Sequence, residues 1–225
     1  MTPRETLCSI IEIAKERSIY VLGDEVYRPF FHSLTKEETP PSLLSFNYER
    51  TAVTCAMSKS YGLAGIRVGW IASLNRSLID ECADTRHYTT ISVSQVDEHI
   101  ASFALDEACA PNVLRKNMEL ARHNLDMLEA FVNDHSDSCD WFRPRASTTA
   151  FIRFSRGGKP VDDVQLCKAV LEKKGVFFVP GGLSFGDEFK GFVRMGYVCE
   201  TAVLRAGLDE LRDFMKNGFA DISLA

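Results

Sequence analysis

The most informative part of the sequence is residues 57–70, which read MSKSYGLAGIRVGW. The apolar segment that leads into it, Thr51 to Met57, has the composition of a strand and ends at Ser58-Lys59. The glycine-marked segment 62–65 predicts a loop, and the apolar residues from Ile66 to Ala72 predict a further strand. The sequence therefore places Lys59 in a loop that follows the end of a strand.

A similar arrangement occurs earlier in the chain. The apolar run from Ile19 to Leu22 predicts a short strand, which leads into Gly23-Asp24-Glu25. Helical and strand patterns alternate around these segments, and this alternation predicts an α/β fold with a doubly wound sheet. Ligands of such sheets bind beyond the carboxyl ends of the strands. Asp24 and Lys59 both lie at such ends.

Helical patterns surround the predicted sheet. Thr2 and Glu5 have the spacing of a capping box, with Pro3 at the first helical position, so a helix is predicted to begin there. Helical patterns also dominate residues 74–134. We expect residues 1–105 to form part of a large domain.

The sequence after Trp141 has a different pattern, which predicts a smaller α+β domain. Strands are predicted over residues 148–154, 176–179 and 192–198, a helix from about Val161 to Lys174 with Gly175 as its stop, and a last helix from about residue 204. Residues 106–225 are therefore predicted to contain a linking helix and this small domain.

Composition limits the class of protein and its partners. Apolar residues make up 45% of the 225 residues, charged residues make up 25%, and the net charge is −5, as in ordinary globular proteins. A negative balance gives no reason to expect a nucleic-acid partner, and no apolar run approaches the roughly 18 residues that cross a membrane. The seven cysteines are scattered without CxxC spacing, so neither a metal site nor a disulfide framework is predicted. We expect a cytoplasmic protein with reduced thiols.

Five side chains near the predicted strand ends have the chemical types that pyridoxal 5′-phosphate (PLP) requires. PLP needs a lysine amine for its aldehyde, an acid for its pyridine nitrogen, a donor for its phenolic oxygen, and hydroxyl and cationic anchors for its phosphate. The side chains that provide these types are Asp24, Tyr27, Ser58, Lys59 and Arg67.

Three segments resemble the class I/II aminotransferases, which are PLP enzymes of fold type I. Residues 19–28, IYVLGDEVYR, resemble the D-E-x-Y segment of that family, and residues 57–70 are similar to its S-K-x-x-G-L-A-G-x-R-x-G-W signature. Residues 175–181 (GVFFVPG), 185–186 (FG) and 191–194 (GFVR) resemble its late segment. The resemblance implies an incomplete large PLP-binding domain over residues 1–105, followed by the small domain.

The resemblance also implies roles for the residues that match these motifs. Lys59 would hold PLP as a Schiff base and act as the general base on the substrate's α-proton. Asp24 would pair with the pyridinium nitrogen, and Tyr27 would donate to the phenolic oxygen.

Anion binding is implied for three further residues. Ser58 and Arg67 would anchor the phosphate, and Arg194 would bind the α-carboxylate of the substrate through its planar guanidinium. The family often has a serine three residues before the lysine, where this chain has Ala56. One phosphate anchor is therefore expected to be missing or replaced.

The expected reaction is transfer of an amino group between an amino acid and a 2-oxo acid. A PLP-dependent lyase or synthase of the same fold is the enzymatic alternative. The resemblance covers only the C-terminal portion of the family's length, so three expectations stay open: a truncated enzyme, an enzyme completed by a separate N-terminal chain, or a homologue without activity that acts by binding. A homodimer is the family's usual assembly.

Overall fold

The computed structural model describes residues 2–225. Contacts between residues divide the chain into two compact units, one ending at Met118 and the other covering Glu119–Ala225. The dividing point falls within a long helix, Ala110–Asp134. The domain limits that the sequence predicts, at residues 105 and 106, stay a prediction. No helix within residues 2–225 is long and apolar enough to cross a membrane.

The first unit combines a small sheet with helices. Its elements are α1 (Arg4–Arg17), β1 (Val21–Asp24), β2 (Thr51–Ala56), β3 (Gly69–Ser73), α2 (Arg76–Arg86), α3 (Gln95–Leu105) and the first part of α4 (Ala110–Asp134). One apolar cluster joins Ile11 of α1, Leu43 of the 3₁₀ turn before β2, and Val53 of β2. A second cluster joins Met57 to Ala101 and Ala104 of α3. These two clusters hold the sheet and its following loops against the helices.

The three strands lie in the order β1-β2-β3. β1 and β2 are parallel, with Asp24 opposite Thr54, whereas β3 is antiparallel to β2. A connection between two parallel neighbouring strands needs a crossover of a dozen or more residues, usually a helix. Residues 57–68, which connect β2 to β3, contain only a short 3₁₀ turn, and β3 therefore returns antiparallel to β2. The predicted strands are present, but β3 begins three residues later than the sequence predicts because this turn precedes it.

The predicted capping box at Thr2 is wrong. Pro3 is the cap residue of α1, with φ −62° and ψ 158°, and no side chain makes a capping hydrogen bond there. Because Pro3 is extended, the helix begins one residue later, at Arg4. The end of α1 is closed by Ser18, which has φ 53° and donates its backbone N–H to the carbonyls of the last turn.

The second unit is a sheet with helices against it, as the sequence predicts. Its elements are the end of α4, β4 (Cys139–Trp141), β5 (Thr149–Arg156), β6 (Lys159–Pro160), α5 (Asp163–Lys174), β7 (Val179–Pro180), α6 (Gly181–Phe185), β8 (Phe192–Gly196) and α7 (Thr201–Asn217). The strand order is β4-β5-β8-β7, with β6 paired to β5. Alternate residues of β5 and β8 are buried, and α5 packs against α7 and β8.

The predicted strand over residues 176–179 is wrong in most of its length. Only Val179 and Pro180 pair with β8, opposite Arg194 and Val193. β7 lies at the edge of the sheet and contains a proline, which cannot donate a ladder hydrogen bond. The apolar sequence before it therefore forms a connection after Gly175 instead of a strand.

Candidate functional site

Asp24 is the last residue of β1, and its side chain is exposed. Its Oδ1 atom accepts hydrogen bonds from the backbone N–H of Val26, at 3.2 Å, and from the hydroxyl of Thr54, at 3.3 Å. Thr54 is its register partner on β2. Both bonds end on Oδ1 and fix the orientation of the carboxylate. Oδ2 accepts neither of them. Sequence reasoning did not identify Thr54, because its role depends on strand register.

Lys59 lies in a closed loop directly after β2. The backbone N–H of Gly62 donates to the Lys59 carbonyl at 3.2 Å, and that of Leu63 donates to the Met57 carbonyl at 3.0 Å. Gly62 has φ +71°, a conformation that favours glycine. The Lys59 side chain is exposed, its Nζ atom lies 5.7 Å from the centre of the Tyr27 ring, and it has no ion pair within residues 2–225.

Tyr27 lies in a turn that an ion pair braces. The Arg28 Nε atom lies 3.0 Å from Oε2 of Glu25, and Oε1 of Glu25 accepts the backbone N–H of Leu43 at 2.9 Å. Arg28 also donates to the carbonyl of Pro40. These contacts join the Tyr27 turn to the loop before β2. The i,i+3 spacing of the two charges was a usable sequence signal that the sequence prediction left out.

Cys55 on β2 contacts the same turn. Its Sγ atom lies 3.5 Å from the carbonyl oxygen of Glu25 and 3.7 Å from that of Arg28, so the single S–H can donate to either. Burial raises the pKa of the Cys55 thiol, and the neighbouring Glu25 carboxylate adds to this rise. Because the thiol form is favoured, Cys55 supports the turn and is a poor nucleophile.

The two residues with predicted phosphate roles lie in the loop region after β2. Ser58 is half-buried beside Lys59. Arg67 is exposed, has φ 55° after the 3₁₀ turn at residues 64–66, and donates from Nη1 to the Ala64 carbonyl at 2.9 Å. The sequence placed Arg67 inside a strand, which is wrong. Within residues 2–225 Arg67 has no carboxylate partner, and no hydrogen bond joins it to Lys59.

Asn117 of α4 braces the lysine loop from outside. Its Nδ2 atom donates to the backbone carbonyl of Ser60 at 3.0 Å, and Ser60 itself is fully buried. An added Cβ on Gly62 would lie 3.6 Å from the same Nδ2 atom. The sequence offered no signal for this contact, since the two residues are far apart in the chain.

In the second unit, Arg194 lies on the exposed face of β8. Phe151 of β5 is its register partner, and its guanidinium carbon lies 5.6 Å from the centre of the Phe185 ring. Within residues 2–225 it has no carboxylate partner. A guanidinium beside aromatic rings and without an internal counterion is suited to bind a carboxylate from outside the chain.

The same order of motifs occurs in a known family. A family model described as "Aminotransferase class I and II" matches residues 1–211. The chain belongs to the class I and II aminotransferase family. This match confirms the resemblance to the aminotransferases that the sequence motifs indicated, and PLP was predicted from that resemblance.

The curated proteins that are similar to this chain carry names of different enzymatic activities. It is 32% identical over 178 residues to a capreomycidine synthase from Streptomyces vinaceus, covering 79% of this chain and 43% of that protein. It is 26% identical over 216 residues to an aspartate aminotransferase from Thermotoga maritima, covering 95% of this chain and 52% of that protein. The chain thus spans about half the length of the curated relatives that it matches.

A solved structure confirms the predicted fold of this family member. A PLP-dependent aminotransferase from Streptococcus suis superposes with a TM-score of 0.82 at 31% identity, over 95% of this chain and 53% of that one. The mixed α/β units are therefore a portion of an aminotransferase fold. The roles of the individual site residues stay predictions.

Proposed function

We propose that this chain contributes the lysine-bearing part of a PLP-dependent aminotransferase site, which transfers an amino group between an amino acid and a 2-oxo acid. The observation that carries the proposal is the position of Lys59. Its amine is exposed, has no ion pair within residues 2–225, lies 5.7 Å from the Tyr27 ring centre and follows the strand next to Asp24. PLP, when bound, supplies an electron sink for the substrate's α-carbon.

The first unit fits this cofactor. Asp24 keeps Oδ2 free of the two bonds that orient Oδ1, so this oxygen would accept the pyridine N–H. Tyr27 would donate its hydroxyl to the phenolic oxygen. Ser58 and Arg67 would bind the phosphate, since a hydroxyl and a guanidinium without a carboxylate partner suit a dianion.

Two residues would act on the substrate. Lys59, once released from the cofactor, would take the substrate's α-proton as a general base. Arg194 would bind the α-carboxylate with two parallel N–H donors. The Phe185 ring beside Arg194 would help to orient its guanidinium for this contact.

The proposal is tested first by absorbance of the purified chain mixed with PLP, before and after borohydride reduction. We expect a band near about 410–430 nm that reduction converts into a permanent adduct. Peptide mass mapping then locates the adduct on Lys59. Lys59→Ala must abolish both signals, whereas Lys36→Ala, which removes an exposed loop lysine, must leave them unchanged.

A chain that traps PLP only at other lysines, or equally in the Lys59→Ala variant, would contradict the proposal. A positive result leads to a panel of amino donors with 2-oxo acid acceptors. A keto acid formed together with a new amino acid identifies amino-group transfer.

A ring-closing synthase is the second candidate. It is favoured by the 32% identity to a protein named capreomycidine synthase, which exceeds the 26% identity to the aspartate aminotransferase. Both reactions need the same lysine and acid, so products must distinguish them. A cyclised product or free ammonia, without a new amino acid, supports the synthase or a lyase.

The assembly and location of the protein are further proposals. A homodimer is supported by membership of the class I and II aminotransferase family, and a complex with a separate chain that supplies further cofactor contacts is the alternative. A cytoplasmic location is supported by seven scattered cysteines without disulfide spacing. Light scattering and cell fractionation test these two points. If the biological effect of the protein is unchanged in Lys59→Ala, the protein acts by binding and not by catalysis.

A further inference from the structure

Asp163, the first residue of α5, has a buried carboxyl group that joins two glycine backbones. Its side chain is part of a residue that is only 3% exposed. Oδ2 accepts the backbone N–H of Gly182 at 2.9 Å, and Oδ1 accepts that of Gly191 at 3.1 Å. Both oxygens are therefore used within the protein, and each holds a different loop.

The two loops are closely packed around this contact. An added Cβ on Gly182 would lie 3.1 Å from Asp163 Oδ1, and one on Gly191 would lie 2.7 Å from the Cβ atom of Pro160. Gly191 also has φ +81°, which other residues rarely adopt. This stretch of backbone is thus fixed in one arrangement in which both N–H groups face the same carboxyl group.

Each loop leads directly to the carboxylate-binding candidate Arg194. Gly182 lies in the five-residue helix α6, which ends at Phe185, and the Phe185 ring faces the Arg194 guanidinium at 5.6 Å. Gly191 immediately precedes β8, in which Arg194 is the third residue. The Phe185 ring is in turn held edge-on against Phe151 at 5.5 Å.

We propose that Asp163 is a positioning residue for Arg194, which acts by fixing α6 and the start of β8 relative to each other. The inference rests on the proposed function, in which Arg194 binds the substrate carboxylate. Asp163 itself does not face the substrate, because both of its oxygens are occupied and buried. Its effect reaches Arg194 through the Phe185 ring and through the backbone of β8.

The chain offers a matched pair of variants for the test. Asp163→Asn replaces one acceptor oxygen by an NH₂ group that would face a backbone N–H, so one of the two bonds is lost. Asp162→Asn makes the same chemical change one residue earlier. Asp162 caps α5 by accepting the N–H of Gln165 at 2.9 Å and makes no hydrogen bond to Gly182 or Gly191, and asparagine is an equally good cap.

The deciding measurement is nitrogen relaxation of the Arg194 Nε–H group by NMR in the full 225-residue chain, together with amide exchange at Gly182 and Gly191. We expect a lower order parameter at Arg194 Nε in Asp163→Asn, and exchange roughly tenfold faster at whichever of the two glycines faces the new NH₂ group. Asp162→Asn should match the wild type. A purely structural role would raise exchange throughout the second unit and leave Arg194 Nε unchanged, which would overturn the proposal.

Gly182→Ala is the second test variant, to be used if Asp163→Asn does not fold. It keeps the carboxyl group and both donors but presses a methyl group against Asp163, so we expect the same local changes with smaller amplitude. An Arg194 Nε order parameter equal to that of the wild type in a folded Gly182→Ala variant, despite faster exchange at Gly182, would overturn the proposal.

Titration with propionate separates this inference from the proposed function. If Arg194 binds carboxylates, its Nε signal shifts in the wild type, and the affinity falls roughly tenfold in Asp163→Asn. If the wild-type signal does not shift, the proposed role of Arg194 fails. The relaxation measurement still decides whether Asp163 positions Arg194.

Discussion

The Nζ atom of Lys59 lies 5.7 Å from the centre of the Tyr27 ring, and the two residues follow neighbouring strands of one sheet. β1 and β2 are parallel, with Asp24 opposite Thr54, so the loops after both strands leave the same edge. This edge brings an acid, a phenol and an amine together from two separate sequence motifs. At exposed sites such a contact between a cationic side chain and a ring contributes about 0.5–1 kcal/mol.

Tyr27→Phe separates the hydroxyl of Tyr27 from its ring. The ring beneath Lys59 remains, but the donor to the phenolic oxygen is lost, so we expect the Kd for PLP to rise about tenfold. Borohydride should still trap PLP on Lys59. Tyr27→Leu removes the ring as well and should weaken binding further.

The matched control is Tyr20→Phe, which removes a hydroxyl from an exposed ring that faces Arg50. Fluorescence titration with PLP measures all three variants. Equal PLP affinity in the wild type and in Tyr27→Phe would show that the hydroxyl does not contact the cofactor.

Asn117→Ala tests the brace on the lysine loop. Loss of the 3.0 Å bond to the Ser60 carbonyl leaves a buried acceptor unpaired, which costs about 1–3 kcal/mol. Amide exchange over residues 57–63 should accelerate. Asn112→Ala is the control, since Asn112 lies on the same helix and, within residues 2–225, its side chain bonds only to the Ala108 carbonyl, at 3.2 Å, on an exposed surface.

Both variants make the same substitution on α4, but Asn112 lies in the first turn, so alanine favours the helix more at position 117 than at position 112. A larger loss of unfolding free energy in Asn117→Ala than in Asn112→Ala therefore reports the bond to Ser60. Urea unfolding gives this difference. If Asn112→Ala destabilises the chain as much as Asn117→Ala does, the bond to Ser60 has no special role.

The positions of Asp24 and Lys59 could be predicted from the sequence for a physical reason. Each follows a short apolar run typical of a strand, so the polar residue after it is expected at a sheet edge. The direction of β3 could not be predicted from apolar pattern alone. It depends on the 57–68 connection, whose hydrogen bonds close a compact loop instead of a crossover helix.

Contacts between distant residues were also beyond sequence reasoning. Asp163 resembles a second capping residue beside Asp162, and only the fold shows that its carboxyl group is bonded to Gly182 and Gly191. Arg67 was assigned to a strand because apolar residues flank it. Its positive φ arises because the preceding 3₁₀ turn ends there, which no periodicity signals.

Two buried thiols predict how stability depends on alkaline pH. Burial raises the pKa of Cys139 and of Cys167 from 9.0 to about 12, and for Cys167 the Asp163 carboxylate adds to this rise. A raised folded-state pKa favours folding below the unfolded pKa. That contribution is lost between pH 9 and about 12, because the unfolded chain releases these protons first.

We therefore expect the free energy of unfolding to fall above pH 9 by up to about 1.4 kcal/mol per pH unit for each thiol. Cys139→Ala should show a shallower decline over this range than the wild type. Urea unfolding at several pH values measures the slopes. Native-state alkylation at neutral pH should also label both cysteines last, and early labelling of either one would contradict their burial.

The ion pair that braces the Tyr27 turn makes a prediction about coupling. Glu25 and Arg28 lie 3.0 Å apart, and their side chains are only 14% and 28% exposed. Partial burial reduces screening by water, so we expect a double-mutant cycle of Glu25→Gln and Arg28→Met to give a coupling energy of about 1–2 kcal/mol. Glutamine keeps an acceptor for the Leu43 N–H, so the cycle isolates the charged contact.

A second ion pair of the same unit provides the comparison. Arg76 and Asp80 lie 2.9 Å apart on α2, but their side chains are 86% and 56% exposed. Such surface pairs contribute about 0.3–0.5 kcal/mol. Equal coupling energies in the two cycles would show that burial at the Tyr27 turn does not strengthen the pair. A larger value at Glu25 and Arg28, with weaker PLP binding in each single variant, would show that this pair holds Tyr27 in place for the cofactor.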